Sequence, residues 1–127
     1  MVRVPVSWGE LFDKITILEI KGRRIEDGAK LANINRELEV LQEVSRVHRD
    51  EGGELDRLIV ELTEVNETLW DIEDDIRACE RSGDFSDTFI QLARSVYRTN
   101  DQRADLKLKI NRLLGSELVE EKSYEAY

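Results

Sequence analysis

Polar and charged side chains stand where the helical periodicity of this chain calls for apolar ones, and any chemistry would reside at those positions. At about 100° per residue, Asn66, Glu73 and Arg77 fall on the face that also carries Leu55, Ile59, Leu62 and Leu69. Further along, Asn100, Arg103, Lys107 and Asn111 fall among Phe89, Ala93, Val96 and Leu114, and Glu19 lies between Phe12 and Ile15 viewed down its axis. Burying such groups is costly unless each finds a partner. Glu19 and Glu73 oppose Arg77, Arg103 and Lys107, which leaves one positive charge over. The chemistry of the set is anion binding: a phosphorylated or nucleotide-like small molecule, a carboxylate of the C-terminal tail, or an acidic side chain of a second subunit would neutralise the excess. Glu73 would then orient the cations, or act as a base in phosphate-ester hydrolysis. The competing reading is a self-contained buried network that sets the register of the helices, with Arg103 and Lys107 reaching water by their long stems. Polar residues inside bundles more often specify packing than bind ligands.

Other constellations carry less. Ile90, Arg94, Tyr97, Asp101 and Leu108 run along one edge of the last long helix, so Arg94, Tyr97 and Asp101 line one wall of a groove or form a surface array. Glu61, Glu64, Glu67, Asp71, Asp74 and Asp75 contain spacings that suit Mg²⁺. They map to a solvated face, and with 28 acidic residues such spacings arise by chance. His48 is the only histidine and has no cysteine or histidine at ligand spacing, so no metal site is expected. Cys79 is a packing residue with no base adjacent in sequence, and a lone cysteine forms no internal disulfide. No glycine-rich phosphate loop or nucleophile elbow is present. No cofactor and no catalytic residue is expected.

The elements that must position these residues are helices. Pro5 is the only proline, so the chain beyond it is free of the residue that breaks helices. Ser7 and Glu10 form a capping box, with Val6 and Leu11 at the staple positions. The first helix is predicted over 8–27 with Gly28 as its stop; its stripe is Trp8, Leu11, Phe12, Ile15, Leu18 and Ile25, and a second surface must cover Ile17 and Ile20. A second helix follows over 30–48, with Leu31, Ile34, Leu38 and Leu41 inward and Val40, Val44 and Val47 on the opposite side. Arg49 to Gly53 reads as a loop. The third helix spans 54–82 and ends at a turn, Ser82-Gly83-Asp84; Ser86 or Asp84 caps a fourth over 86–114, stopped by Gly115. A tail follows over 116–127.

This is a single all-α domain: an antiparallel four-helix arrangement with a long acidic/basic hairpin of helices three and four. Ten acidic residues between Glu54 and Glu80 face only Arg57 and Arg77, whereas six basic residues between Ile90 and Leu114 face only Asp101 and Asp105. Opposite net signs favour that pairing over misaligned ones. At ~1.5 Å per residue the hairpin overhangs the shorter helices by roughly 10 Å. Together with the valine stripe, the overhang favours a homodimer, with the tail as the rival cover. The net charge of −9 disfavours nucleic acid and anionic membranes as partners. No segment suits a membrane span. Residues 1–6 lack the features of a signal peptide, so a reduced cytoplasmic protein is expected.

Four segments together are distinctive: Ser-Trp-Gly-Glu-Leu-Phe-Asp-Lys-Ile-Thr-Ile-Leu-Glu-Ile-Lys (7–21), Leu-Trp-Asp-Ile-Glu-Asp-Asp-Ile-Arg (69–77), Phe-Ile-Gln-Leu-Ala-Arg-Ser-Val-Tyr-Arg-Thr-Asn-Asp-Gln-Arg-Ala (89–104) and Glu-Glu-Lys-Ser-Tyr (120–124). With them the chain resembles, over nearly its whole length, a bacterial family of short helical proteins classed as a domain of unknown function. The resemblance implies a bacterial, cytoplasmic, helical protein and brings no activity or catalytic residue. It marks Trp8, Asp13, Lys14, Glu73, Arg77, Arg94, Tyr97, Asn100, Asp101 and Arg103 as part of the pattern. The residues themselves favour a non-catalytic dimeric scaffold or accessory module. The alternative is a site for a phosphorylated or nucleotide-like anion in a polar cleft between helices three and four, lined by Asn66, Glu73, Arg77, Arg94, Tyr97, Asn100, Arg103, Lys107 and Asn111.

Overall fold

The computed structural model describes residues 1–48 and 53–127. Among them run four α-helices, α1 (Trp8–Arg24), α2 (Gly28–Ser45), α3 (Gly53–Ser82) and α4 (Asp87–Leu114), with a 3-10 turn at Arg46–His48. No described residue is in a strand. The chain is all-helical, as its periodicity predicts. The loop expected at 49–53 lies outside the described residues except for Gly53, which opens α3.

The start of α1 shows how local and distant residues share one task. Ser7 Oγ accepts the Glu10 N–H at 3.1 Å, and the Ser7 carbonyl accepts the Leu11 N–H at 3.1 Å. The Glu10 carboxylate, expected to close the capping box, turns away to Lys107. The Trp8 N–H donates to Ser116 Oγ at 3.0 Å and the Gly9 N–H to Asn111 Oδ1 at 2.6 Å. The N–H groups of Trp8, Gly9 and Glu10, which have no acceptor within the helix, are thereby satisfied, two of them from the other end of the chain.

The expected stop of α1 is corrected. The helix ends at Arg24, and Ile25 is extended. Gly28 is the first residue of α2, because Asp27 Oδ1 accepts the N–H groups of Ala29 and Lys30 at 2.9 and 3.1 Å. An aspartate before a glycine is as good a helix start as the glycine is a stop, and here the cap prevails. α2 ends at Ser45, short of the expected 48, and passes into the 3-10 turn. The stops of α3 and α4 are as expected, with Gly83 and Gly115 at φ of 70° and 66°, the left-handed turn that glycine adopts without strain. Asp84 Oδ1 accepts the Ser86 N–H at 3.0 Å just before α4.

α1 packs on all three other helices, while α2 lies along α1 and adds Leu38 and Leu41 to the margin of the core. The core joins Leu11, Phe12 and Ile15 of α1 to Leu55, Leu58 and Leu62 of α3 and Leu106 and Ile110 of α4. Each such side chain contributes roughly 1.5–3 kcal/mol by leaving water. Ile20, off the main stripe, is also buried, as befits a helix surrounded on several sides. α2 is peripheral: of its residues only Ile34 is buried and Val44 is 53% exposed, and Val47 in the 3-10 turn after it is 73% exposed.

α3 and α4 form the most extensive helix interface, but opposite charge is not what joins them. Among the described residues no ion pair links the two; α1 takes both sets of charges instead. Its Arg23 and Arg24 pair with Glu67 and Asp71 of α3, at 2.5 and 2.6 Å, and its Asp13 and Glu10 pair with Arg103 and Lys107 of α4. The Arg24–Asp71 pair also marks where α1 runs out. Beyond it no other described helix packs on α3 and α4; Ile72 and Cys79 are buried, and Phe85 and Ile90 are about half exposed. No described helix is long and apolar enough to cross a membrane.

Candidate functional site

Where α1, α3 and α4 meet, one carboxylate holds all three. Asp13, 1% exposed, accepts Arg103 Nε on Oδ1 at 2.9 Å and Arg103 Nη2 on Oδ2 at 2.5 Å. Asn66 Nδ2 donates to the same Oδ1 at 2.9 Å and to Thr16 Oγ1 at 3.0 Å, and Thr16 Oγ1 donates to the Asp13 carbonyl at 2.8 Å. A bidentate guanidinium–carboxylate pair fixes orientation as well as distance. The Asp13 hydrogen bond raises the Arg103 pKa, with burial acting against it.

The backbone lets these groups meet. Gly9, Asp13, Thr16 and Ile20 form a buried stripe along α1. A Cβ on Gly9 would collide with the Lys107 carbonyl and lie 2.8 Å from Asn111 Oδ1. Glycine at this position therefore allows α4 to approach closely enough for Arg103 to reach Asp13.

A second cluster lies a turn along α4. Lys107, 8% exposed, donates through Nζ to Glu10 Oε2 at 2.7 Å and to Glu120 Oε2 at 2.9 Å. Burial opposes its ammonium form, but the bonds to Glu10 and Glu120 outweigh burial and raise its pKa. The same contact lowers that of Glu120. Lys122 stands 3.6 Å from Glu120 Oε1. Glu10, Asn100, Arg103, Lys107, Glu120 and Lys122 thus surround a polar hollow of about 250 Å³. The tail that supplies Glu120 also bears Tyr127, whose hydroxyl donates to Asp101 Oδ2 at 2.6 Å and whose ring lies 5.0 Å from that of Tyr97.

The residues singled out from the sequence therefore separate. Asn66 and Arg103 meet at Asp13; Lys107 joins the second cluster; Asn111 caps α1. Asn100 faces the hollow, and its side chain has no hydrogen-bond partner among the described residues. Tyr97 is 41% exposed against the tail, and Arg94 is half-buried with no ion pair among the described residues. Glu19 is half-buried and belongs to neither cluster. Glu73 and Arg77, expected to turn inward, are exposed and pair only along their own helix at 3.4 Å. They share the face of Asn66 but lie past the end of α1, so no third helix covers them. With Ile17, Leu69, Trp70 and Arg103 they rim an open groove.

The expected positive excess is also gone: Arg103, Lys107 and Lys122 stand against Asp13, Glu10 and Glu120. A tail carboxylate supplies part of the balance, one of the three sources the sequence leaves open. Asp13, Thr16, Glu10 and Glu120 were not among the residues periodicity selected. The 9-13-16-20 spacing was a usable signal for the first two, because small and polar residues at helical spacing mark a close helix contact. Nothing local signals Glu120.

Fold and clusters define a class: a small helical protein whose three core helices are clasped by a buried aspartate and whose tail returns an acid to a buried lysine. The chain belongs to the family described as Family of unknown function (DUF6165), which matches residues 2–127. No curated protein and no solved structure matches it.

Proposed function

We propose that this protein is a non-catalytic helical module that self-associates as a dimer and serves as a scaffold or accessory subunit. The outer face of α2 carries this reading. Val40 and Val44 of α2 and Val47 of the 3-10 turn that follows it are 39%, 53% and 73% exposed, and among the described α-helices α2 makes backbone-level contact with α1. Three β-branched residues along one edge form an apolar stripe of the kind that association buries. The interior polar groups fit a structural role, because among the described residues no buried side-chain nitrogen or oxygen lacks a hydrogen-bond partner. A satisfied network specifies packing and leaves no buried group seeking a ligand. Light scattering on the eluting full chain at micromolar concentration tests this: wild type should run as a dimer, and Val44→Asp/Val47→Asp as a monomer with an unchanged helical spectrum. A monomeric wild type would sink the reading.

A second reading, binding of a small anion, is favoured by one contact: the Glu120 carboxylate already sits on Lys107. This relocates the cleft expected between α3 and α4 to the space between α4 and the tail. Inorganic phosphate should raise the melting temperature of the wild type, and should fail to do so once Lys107 is replaced by methionine.

A further inference from the structure

We infer that the cleft between α4 and residues 116–127 binds a small molecule bearing an anionic group, carboxylate or phosphate, on a flat ring. Glu120 holds the anion position until the ligand takes it. The inference rests on the anion-binding reading above and adds the place and the ligand class.

The cleft has two ends. At one, Lys107 and Lys122 hold the Glu120 carboxylate, and Asn100 faces the same hollow with its amide uncommitted. Arg103 spends Nε and Nη2 on Asp13, which leaves Nη1 without a partner among the described residues. Arg103 also lines the second end, a hollow of about 1010 Å³ shared with Val96, Tyr97, Tyr124 and Tyr127. That is at the upper end of the ~300–1,000 Å³ typical of small-molecule sites. Tyrosine rings beside a cation and an amide provide stacking surface next to oxyanion donors. A ligand that joins a ring to an anion matches both ends at once.

The charges favour exchange. Lys107 holds Glu10 as one carboxylate partner and Glu120 as the second, so a ligand anion that displaces Glu120 restores the second contact and a neutral ligand does not. Asp101, which accepts the Tyr127 hydroxyl, and Glu125 line the ring end. The occupant is also weakly held. The residues from Glu117 to Tyr127 are all exposed, and Glu120 itself is 45% exposed at its side chain. Ion pairs of such exposure are readily exchanged.

Isothermal titration of the full chain tests this with four probes: adenosine monophosphate, 4-hydroxybenzoate, inorganic phosphate and adenosine. At least one ring-bearing anion should bind more tightly than inorganic phosphate, and adenosine should not bind. Glu120→Gln should tighten that binding about two- to fivefold by removing the competitor. Tyr97→Ala, at an exposed position, should weaken the ring-bearing anion and leave inorganic phosphate unchanged. Which of the two ring-bearing probes binds separates phosphate from carboxylate. If inorganic phosphate binds at least as tightly as both ring-bearing anions, or Tyr97→Ala changes nothing, the ring assignment falls and anion binding stands. If no anion binds either wild type or Glu120→Gln, both fall.

Discussion

Replacing Asp13 by alanine should destabilise the fold by about 3 kcal/mol. Removing one partner of a buried ion pair costs ~3–5 kcal/mol, because the other charge is left without compensation. Asp13 is 1% exposed and Arg103 30%, so the stranded guanidinium recovers some hydration and the lower end of that range applies. Asn66 keeps its bond to Thr16 and adds little to the loss. For a chain of this size, ~3 kcal/mol is a third of a total stability on the order of 10 kcal/mol and lowers the melting temperature by roughly 10 °C. Urea titration followed by far-ultraviolet circular dichroism, at one fixed protein concentration, measures it. Asp13→Asn keeps the volume and one acceptor and should fall between the two. The double variant Asp13→Ala/Arg103→Ala should lose clearly less than the sum of the single losses. An Asp13→Ala protein within ~0.5 kcal/mol of wild type, or strictly additive losses, would refute the clasp.

Two glycines of α1 should respond oppositely. Gly9→Ala forces a methyl group onto the Lys107 carbonyl and should destabilise by ~1–3 kcal/mol despite the better helix propensity of alanine. Gly22→Ala, with nothing within 4 Å, should stabilise by ~0.5–1 kcal/mol in the same urea titration. Docking of the tail should depend on acid. Lys107 holds the Glu120 pKa below its ordinary 4.5, so the contact is at full strength above that value and is lost as pH falls through the lower docked one. Hydrogen exchange of residues 116–124, corrected for intrinsic rates and followed from about pH 6 to about pH 3, should show protection fading in wild type but not in Glu120→Gln. Equal protection across that range in wild type would contradict the Lys107 contact.

Features set by neighbouring residues were legible in the sequence. Ser7 accepts the Glu10 N–H, and Gly83 and Gly115 end their helices at positive φ, because caps and stops depend on a few adjacent residues. The stripes of α1 and α3 were legible too, since the angle around a helix follows from residue number alone. Asp27 marks the limit, where two sound local signals compete and the nearer cap prevails.

Tertiary structure decided what lies opposite each face and how far along the axis cover extends. Asn66, Glu73 and Arg77 share one face of α3, yet α1 covers the first and stops short of the others. Gly9, by admitting α4, brings Arg103 to Asp13, a partner ninety residues away in sequence. Lys107 finds its acids on α1 and on the tail. Periodicity assigns a side chain its angle; only the crossing of helices assigns it a neighbour, and buried charge is stabilised by neighbours.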